Sequence, residues 1–141
     1  KGGFYMKVKK LDHIGIITTA LEEVLPVYTE LLGLECHGEE ILPGGEAKTV
    51  FIPCGDVELE LLAATSPDSQ TAQYFKAKGP GIDHFALEVD DINEAVEYLK
   101  SKGVKMVDQV PRPGAGGSMI AFISPEDAGG ISLELCEKPK N

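Results

Sequence analysis

Apolar and polar positions alternate in two short stretches that nearly repeat each other, LDHIGI at 11–16 and IDHFAL at 82–87. Alternation with a period of two marks a strand with one buried face, so strands are expected over about 8–18 and 82–90. After each, the spacing becomes helical: Leu21, Val24, Leu25, Tyr28, Leu31 and Leu32, then Ile92, Ala95, Val96 and Leu99. Thr19-x-x-Glu22 and Asp91-x-x-Glu94 read as capping boxes, and Gly33 and Gly103 as stops. Pro26 lies too deep for a first-turn proline, which predicts a kinked or late-starting first helix. Short strand-like runs follow near 35–41, 47–53 and 57–63, and again near 105–110, 118–123 and 130–136. Ser66-Pro67-Asp68-Ser69 opens a short helix that ends near Gly79-Pro80-Gly81.

The second half of the chain repeats the first at an offset of 71. Asp12-His13-Ile14-Gly15-Ile16 falls on Asp83-His84-Phe85-Ala86-Leu87, and with a slip of three residues Leu59-Glu60-Leu61 falls on Leu133-Glu134-Leu135. The expectation is one domain over 6–141 built from two βαβββ modules, about 7–66 and 80–138, joined by a helical linker at 67–79.

Strand parity then separates two faces. Ile14 and Ile16 oppose His13 and Gly15; Phe85, Leu87 and Val89 oppose His84 and Ala86. On the last strand of each module, Glu60 and Glu134 stand opposite the apolar set. The apolar face must pack on a helix, which leaves one His and one Glu per module on the other. Two imidazoles and two carboxylates form a donor set for one divalent ion of the Zn, Ni, Co or Mn class, with positions left for substrate. The bland alternative is two core histidines and two solvated glutamates. Four matching positions weaken it, because a carboxylate within a strand is costly unless paired. His37, without a counterpart, reads as a surface residue, and Glu58 and Glu88 as solvated residues of the same face. Cys136 reads as a buried spectator thiol, and Asp12 and Asp83 as strand-edge or capping residues.

Composition narrows the function. With 43% hydrophobic and 26% charged residues the chain is globular, and no apolar run reaches the roughly 18–20 residues of a membrane span. A net charge of −10 argues against nucleic acid as a partner. Three cysteines without metal-type spacing suit a reducing cytoplasm. Residues 1–5 read as a remnant or disordered segment outside the fold. Arg112 is the sole arginine, at the entry to the glycine-rich PRPGAGG stretch at 111–117. Its guanidinium suits a carboxylate or phosphate, and glycines allow close backbone approach.

Over about 8–138 the chain resembles the vicinal oxygen chelate superfamily, and within it the methylmalonyl-CoA epimerases. The stretches that carry the likeness are LDHIGI, VELELLAATSPDS, GIDHFALEVDDI, PRPGAGG and GGISLELCE. The resemblance implies an α+β fold, with two tandem βαβββ modules forming a curved mixed sheet around a metal-binding cleft. It implies His13, Glu60, His84 and Glu134 as metal ligands, with Glu134 also an acid–base group, although some relatives place Gln where this chain has Glu60. Arg112, Gly114, Gly116 and Gly117 become substrate-binding candidates, and Lys48, Lys76, Lys78 and Lys105 candidates for coenzyme A phosphates. The implied substrate is a small acyl-CoA and the implied assembly a homodimer. A glyoxalase I-like lyase acting on a glutathione hemithioacetal can use the same ligand set, and a non-catalytic small-ligand-binding module could share the fold. The chain departs from the epimerase pattern at Thr49, where a second glutamate is expected. Glu46 is the nearest carboxylate, but only a bulge would turn it inward. Ser124-Pro125 also stands where relatives usually show His-Pro.

Overall fold

A computed structural model describes residues 6–140; the expected remnant at 1–5 lies outside the described residues. The elements run β1 (Val8–Ile17), α1 (Leu21–Pro26), β2 (Glu40–Ile41), β3 (Ala47–Cys54), β4 (Val57–Ala64), α2 (Gln70–Lys78), β5 (Gly81–Val89), α3 (Ile92–Ser101), β6 (Arg112–Pro113), β7 (Met119–Ile123) and β8 (Ser132–Glu137). Two βαβββ sets flank α2, as the repeat predicts. The chain divides into two compact units: one is His13–Asp83, and the other unites the stretch ending at Asp12 with the stretch starting at His84.

Each set has the same mixed topology. In the first the strand order is β1-β4-β3-β2, and in the second β5-β8-β7-β6. First and last strands pair in parallel, β1 with β4 and β5 with β8, while the remaining neighbours are antiparallel. The parallel pairing of first with last strand requires a crossover, and the intervening helix supplies it by covering one face.

The covered face is the one that parity marked as apolar. In the first unit Leu21, Val50, Ile52, Leu61 and Ala63 form a core, joined by Ile16, Val24, Leu25, Tyr28 and Leu59. In the second, Val89, Ile92, Ala95, Val96, Ala121, Ile123 and Leu135 pack together. Burying each large aliphatic side chain contributes about 1.5–3 kcal/mol. The opposite face is then free to hold polar groups.

Helix boundaries follow their caps with one exception. Asp91 accepts from the Glu94 N–H at 3.0 Å at the start of α3, and Ser69 accepts from the Ala72 N–H at the start of α2. Asp91→Ala is expected to cost about 1 kcal/mol, readable in urea denaturation, because it leaves that N–H without its acceptor. The expected Thr19 cap is absent: Ala20 is the N-cap of α1, with no side-chain bond. Pro26 explains the remainder. It has no N–H to donate and its ring crowds the preceding turn. The chain continues as a wider π-turn over Val27–Leu31, closed by the Leu32 N–H on the Val27 carbonyl at 3.0 Å. The wider turn breaks the helical spacing, so Leu31, expected to be buried, is 78% exposed, and Leu32 is exposed as well.

Two predicted strands are also corrected. The run at 35–41 shrinks to Glu40–Ile41, although the His37 N–H still reaches the Phe51 carbonyl at 2.9 Å. The run at 105–110 keeps only a bridge between Met106 and Ile123, and pairing resumes at Arg112–Pro113. There the Asp108 carboxylate, rather than a backbone carbonyl, accepts the Phe122 N–H at 2.8 Å. A side chain has replaced one rung of the ladder.

Candidate metal centre

Each unit presents one buried imidazole beside one buried carboxylate. In the first, the β1–β4 register places Gly15 next to Glu60, so no bulky side chain separates Glu60 from His13 two residues away. His13 Nε2 and Glu60 Oε1 lie 3.4 Å apart. In the second, Ala86 is next to Glu134, and His84 Nε2 and Glu134 Oε1 lie 3.2 Å apart. Both glutamates are only 4% exposed and both histidines are buried.

An aromatic wall completes each pair. Phe51 on β3 lies directly across from Glu60, and its ring meets that of His13 edge-on, with centroids 5.9 Å apart. Phe122 on β7 lies across from Glu134 and meets His84 edge-on at 5.5 Å. Sequence reasoning missed these two residues. They are related by the same offset of 71 and have the right parity, so the repeat contained the signal. A T-shaped ring contact orients an imidazole through its ring rather than its nitrogen atoms.

The donor set fits a borderline divalent ion. Nitrogen and carboxylate oxygen face each other within each pair, and two carboxylates balance a dication. One His–Glu pair supplies two donors, fewer than the three or four that protein sites give such an ion. Neither pair is a complete metal site by itself.

Thr49 and Glu46 both hydrogen-bond to backbone groups. Thr49 is fully buried, and its hydroxyl donates to the Leu61 carbonyl at 2.9 Å. Glu46 is exposed, just ahead of β3, and its Oε1 accepts the Thr71 N–H at 3.0 Å in the first turn of α2. The β3–β4 ladder runs without interruption from Ala47↔Ala64 to Cys54↔Val57, so no bulge within it reverses the parity. Gly44 and Gly45 form the preceding turn.

Arg112 is half-exposed on β6. Its Nε donates to Asp108 Oδ1 at 2.7 Å, and its guanidinium carbon lies 5.8 Å from the Phe122 ring centroid. The glycine-rich loop follows. Gly116 and Gly117 adopt φ of 64° and 77°, a region that other residues enter only with strain. Gly114 serves close packing: a Cβ there would meet Ile120 Cγ2 at 2.7 Å. Gly114→Ala is expected to cost about 1–3 kcal/mol through overpacking and to displace the loop. Chemical denaturation checks the first effect, and limited proteolysis of the loop the second.

The other candidates take structural places. Cys136 is buried, and burial, with Asp12 and Glu134 nearby, pushes its thiol up, so it is not a ready nucleophile. Asp12 is buried and paired with Lys138 Nζ at 3.3 Å. Asp83 accepts from the Tyr74 hydroxyl at 2.7 Å and from Lys78. Burial first, and then Asp83, pushes the Tyr74 phenol up to about 12. Of the strand-edge or capping roles expected of them, neither aspartate caps a helix; both are ion-paired anchors on their strands. His37 is exposed, as read. Of the lysines considered for phosphates, Lys78 is held by Asp83 and Lys105 by Glu126 at 3.0 Å. A phosphate would have to displace a carboxylate at either.

Comparison with known proteins places this geometry in a family. Residues 12–122 match the glyoxalase/bleomycin resistance protein/dioxygenase superfamily. Among curated proteins, the chain is 34% identical to the uncharacterized protein YqjC of Bacillus subtilis, over 92% of this chain and 93% of that one. It is also 34% identical to the mitochondrial methylmalonyl-CoA epimerase of Bos taurus, over 89% of this chain and 73% of that one. The crystal structure of methylmalonyl-CoA epimerase from Mycobacterium tuberculosis superposes with a TM-score of 0.85 at 32% identity, covering 94% of this chain and 90% of that one. The chain therefore belongs to the glyoxalase/bleomycin resistance protein/dioxygenase superfamily, as a homologue of the methylmalonyl-CoA epimerases.

Proposed function

We propose that the protein interconverts (2R)- and (2S)-methylmalonyl-CoA, using one divalent ion of the Co, Mn, Ni or Zn class held by His13, Glu60, His84 and Glu134. The observation that carries this reading is the duplicated buried His–Glu pair, each member at a repeat-related position and each pair short of the donors an ion requires. The names of the epimerase relatives supply the substrate class.

Inversion at the carbon between a thioester and a carboxylate requires removing its proton and returning one to the opposite face. A bound ion would supply Lewis-acid stabilisation of the negative charge that develops on the substrate oxygens. Glu134 is the acid–base group of this chain, flanked by Ala86 on β5 and Phe122 on β7. Arg112 grips the substrate carboxylate, and the Gly114–Gly117 loop lets the backbone approach the thioester arm. On this reading the protein works as a homodimer, an expectation that rests on the family likeness, and in a reducing cytoplasm, an expectation that rests on its three cysteines without metal-type spacing; sedimentation velocity would test the dimer. Among the described residues, no helix is long and apolar enough to cross a membrane.

The test is isotopic. Metal-loaded protein incubated with (2S)-methylmalonyl-CoA in D₂O should incorporate deuterium at C2 and yield the (2R) epimer. A chelator should stop the exchange, and added metal should restore it. If no exchange occurs at C2 while the glutathione hemithioacetal of methylglyoxal is converted, the lyase reading replaces this one.

A further inference from the structure

One carboxylate ties the arginine loop to the second His–Glu pair. Asp108 lies between α3 and β6, with its side chain only 12% exposed. Its Oδ1 accepts from Arg112 Nε at 2.7 Å, and its Oδ2 accepts from the Phe122 backbone N–H at 2.8 Å. Phe122 is the residue across from Glu134, and its ring packs edge-on against His84. The Arg112 guanidinium lies 5.8 Å from that same ring. The carboxylate thus connects the single arginine of the chain to the strand that walls the pair.

The Phe122 N–H bond gives Asp108 a structural role, but charge does not explain why its second partner is the arginine. An ion pair with an arginine that is 52% exposed contributes little to folding. In a chain of net charge −10, neutralising the only arginine opposes the capture of an anion. What the contact does achieve is orientation. It engages Nε alone, fixes a long and flexible side chain against Phe122, and leaves the Nη groups as the donors for a ligand. An arginine held in place before binding loses less freedom when it grips a carboxylate.

We propose that Asp108 is a positioning residue, which holds the Arg112 guanidinium beside the His84–Glu134 pair for the carboxylate of an acyl-CoA substrate. The proposal rests on the reading of the substrate given above. It predicts a sign opposite to that of electrostatics: removing the negative charge of Asp108 weakens the binding of an anion.

Asp108→Asn isolates the effect. Its remaining side-chain oxygen can keep the Phe122 N–H bond, whereas an amide nitrogen cannot accept from Nε. Arg112→Lys provides an independent variant, because it retains the charge, removes Nε and leaves the Asp108–Phe122 bond alone. Calorimetric titration of metal-loaded protein with malonyl-CoA and propionyl-CoA reads the outcome. Wild type should prefer the carboxylated thioester about tenfold or more, near 1.4 kcal/mol. Both variants should lose about fivefold or more of malonyl-CoA affinity while propionyl-CoA binding holds. Combining Asp108→Asn with Arg112→Ala should add nothing to Arg112→Ala alone. Unchanged or tighter malonyl-CoA binding in Asp108→Asn, or in Arg112→Lys, with the wild-type preference intact, overturns the positioning role alone. If wild type shows no preference for the carboxylated thioester, the positioning role falls together with the substrate reading.

Discussion

Glu134→Gln is expected to lower kcat by two or more decades at saturating metal, while Glu46→Gln stays within several-fold of wild type. The asymmetry follows from where the two carboxylates sit. Glu134 is buried beside His84 on the face that carries the donor groups, and removing an acid–base group costs about 10²–10⁴ in rate. Glu46 is exposed and accepts a backbone N–H from α2. Its replacement by Gln keeps an acceptor there, so the helix start survives. Where the resemblance leads one to expect a second glutamate stands Thr49, whose hydroxyl donates to the Leu61 carbonyl. On the proposed reading, water or another residue is expected to serve the opposite face of the substrate. Because Glu134 is also a proposed ligand, metal content must be measured alongside kcat. A loss of rate with full metal occupancy marks proton transfer, and a loss that tracks metal content marks ligation alone. If Glu46→Gln drops by hundreds-fold with its metal retained, Glu46 leaves the α2 N-terminus during turnover and acts as the second base.

The duplicated strands were legible because their information is local. A period-two pattern with His and Glu on one parity survives any detail of packing, and the order β1-β4-β3-β2 repeated as β5-β8-β7-β6 follows from two copies of one module. The helix after β1 was legible only in outline. Pro26 announced a disturbance, but its form, a π-turn that swings Leu31 outward, depends on which carbonyls the freed turn can still reach. The run at 105–110 misled for a different reason. Its composition suits a strand, yet the Asp108 side chain accepts the Phe122 N–H that a backbone carbonyl would otherwise take. Contacts of this kind join residues 14 apart and leave no periodic trace. The walls Phe51 and Phe122 are the opposite case: the offset of 71 relates them, but an aromatic residue on a strand carries no ligand chemistry that singles it out.

Glu60→Ala provides the second large effect, and it separates a metal centre from a pair of buried ion pairs. Glu60 lies within β4, flanked by Gly15 on one side and Phe51 on the other, so its backbone pairing does not depend on the carboxylate. If the four residues hold an ion, wild-type protein should melt higher with metal, since a ligand at a hundredfold excess over its Kd adds about 2.7 kcal/mol to stability. Loss of a direct ligand should weaken binding by more than the 10–100-fold typical of outer-sphere changes. At the same metal concentration the variant would then gain no more than about 0.4 kcal/mol. The metal-dependent rise in Tm should nearly vanish while the metal-free Tm moves little. An ion-pair role predicts a different pattern. Metal would shift neither protein, and the variant would melt lower without metal, because the His13 imidazole would stay buried while losing its contact with Glu60. A Glu60→Ala protein that keeps wild-type metal stoichiometry and affinity would remove Glu60 from the ligand set.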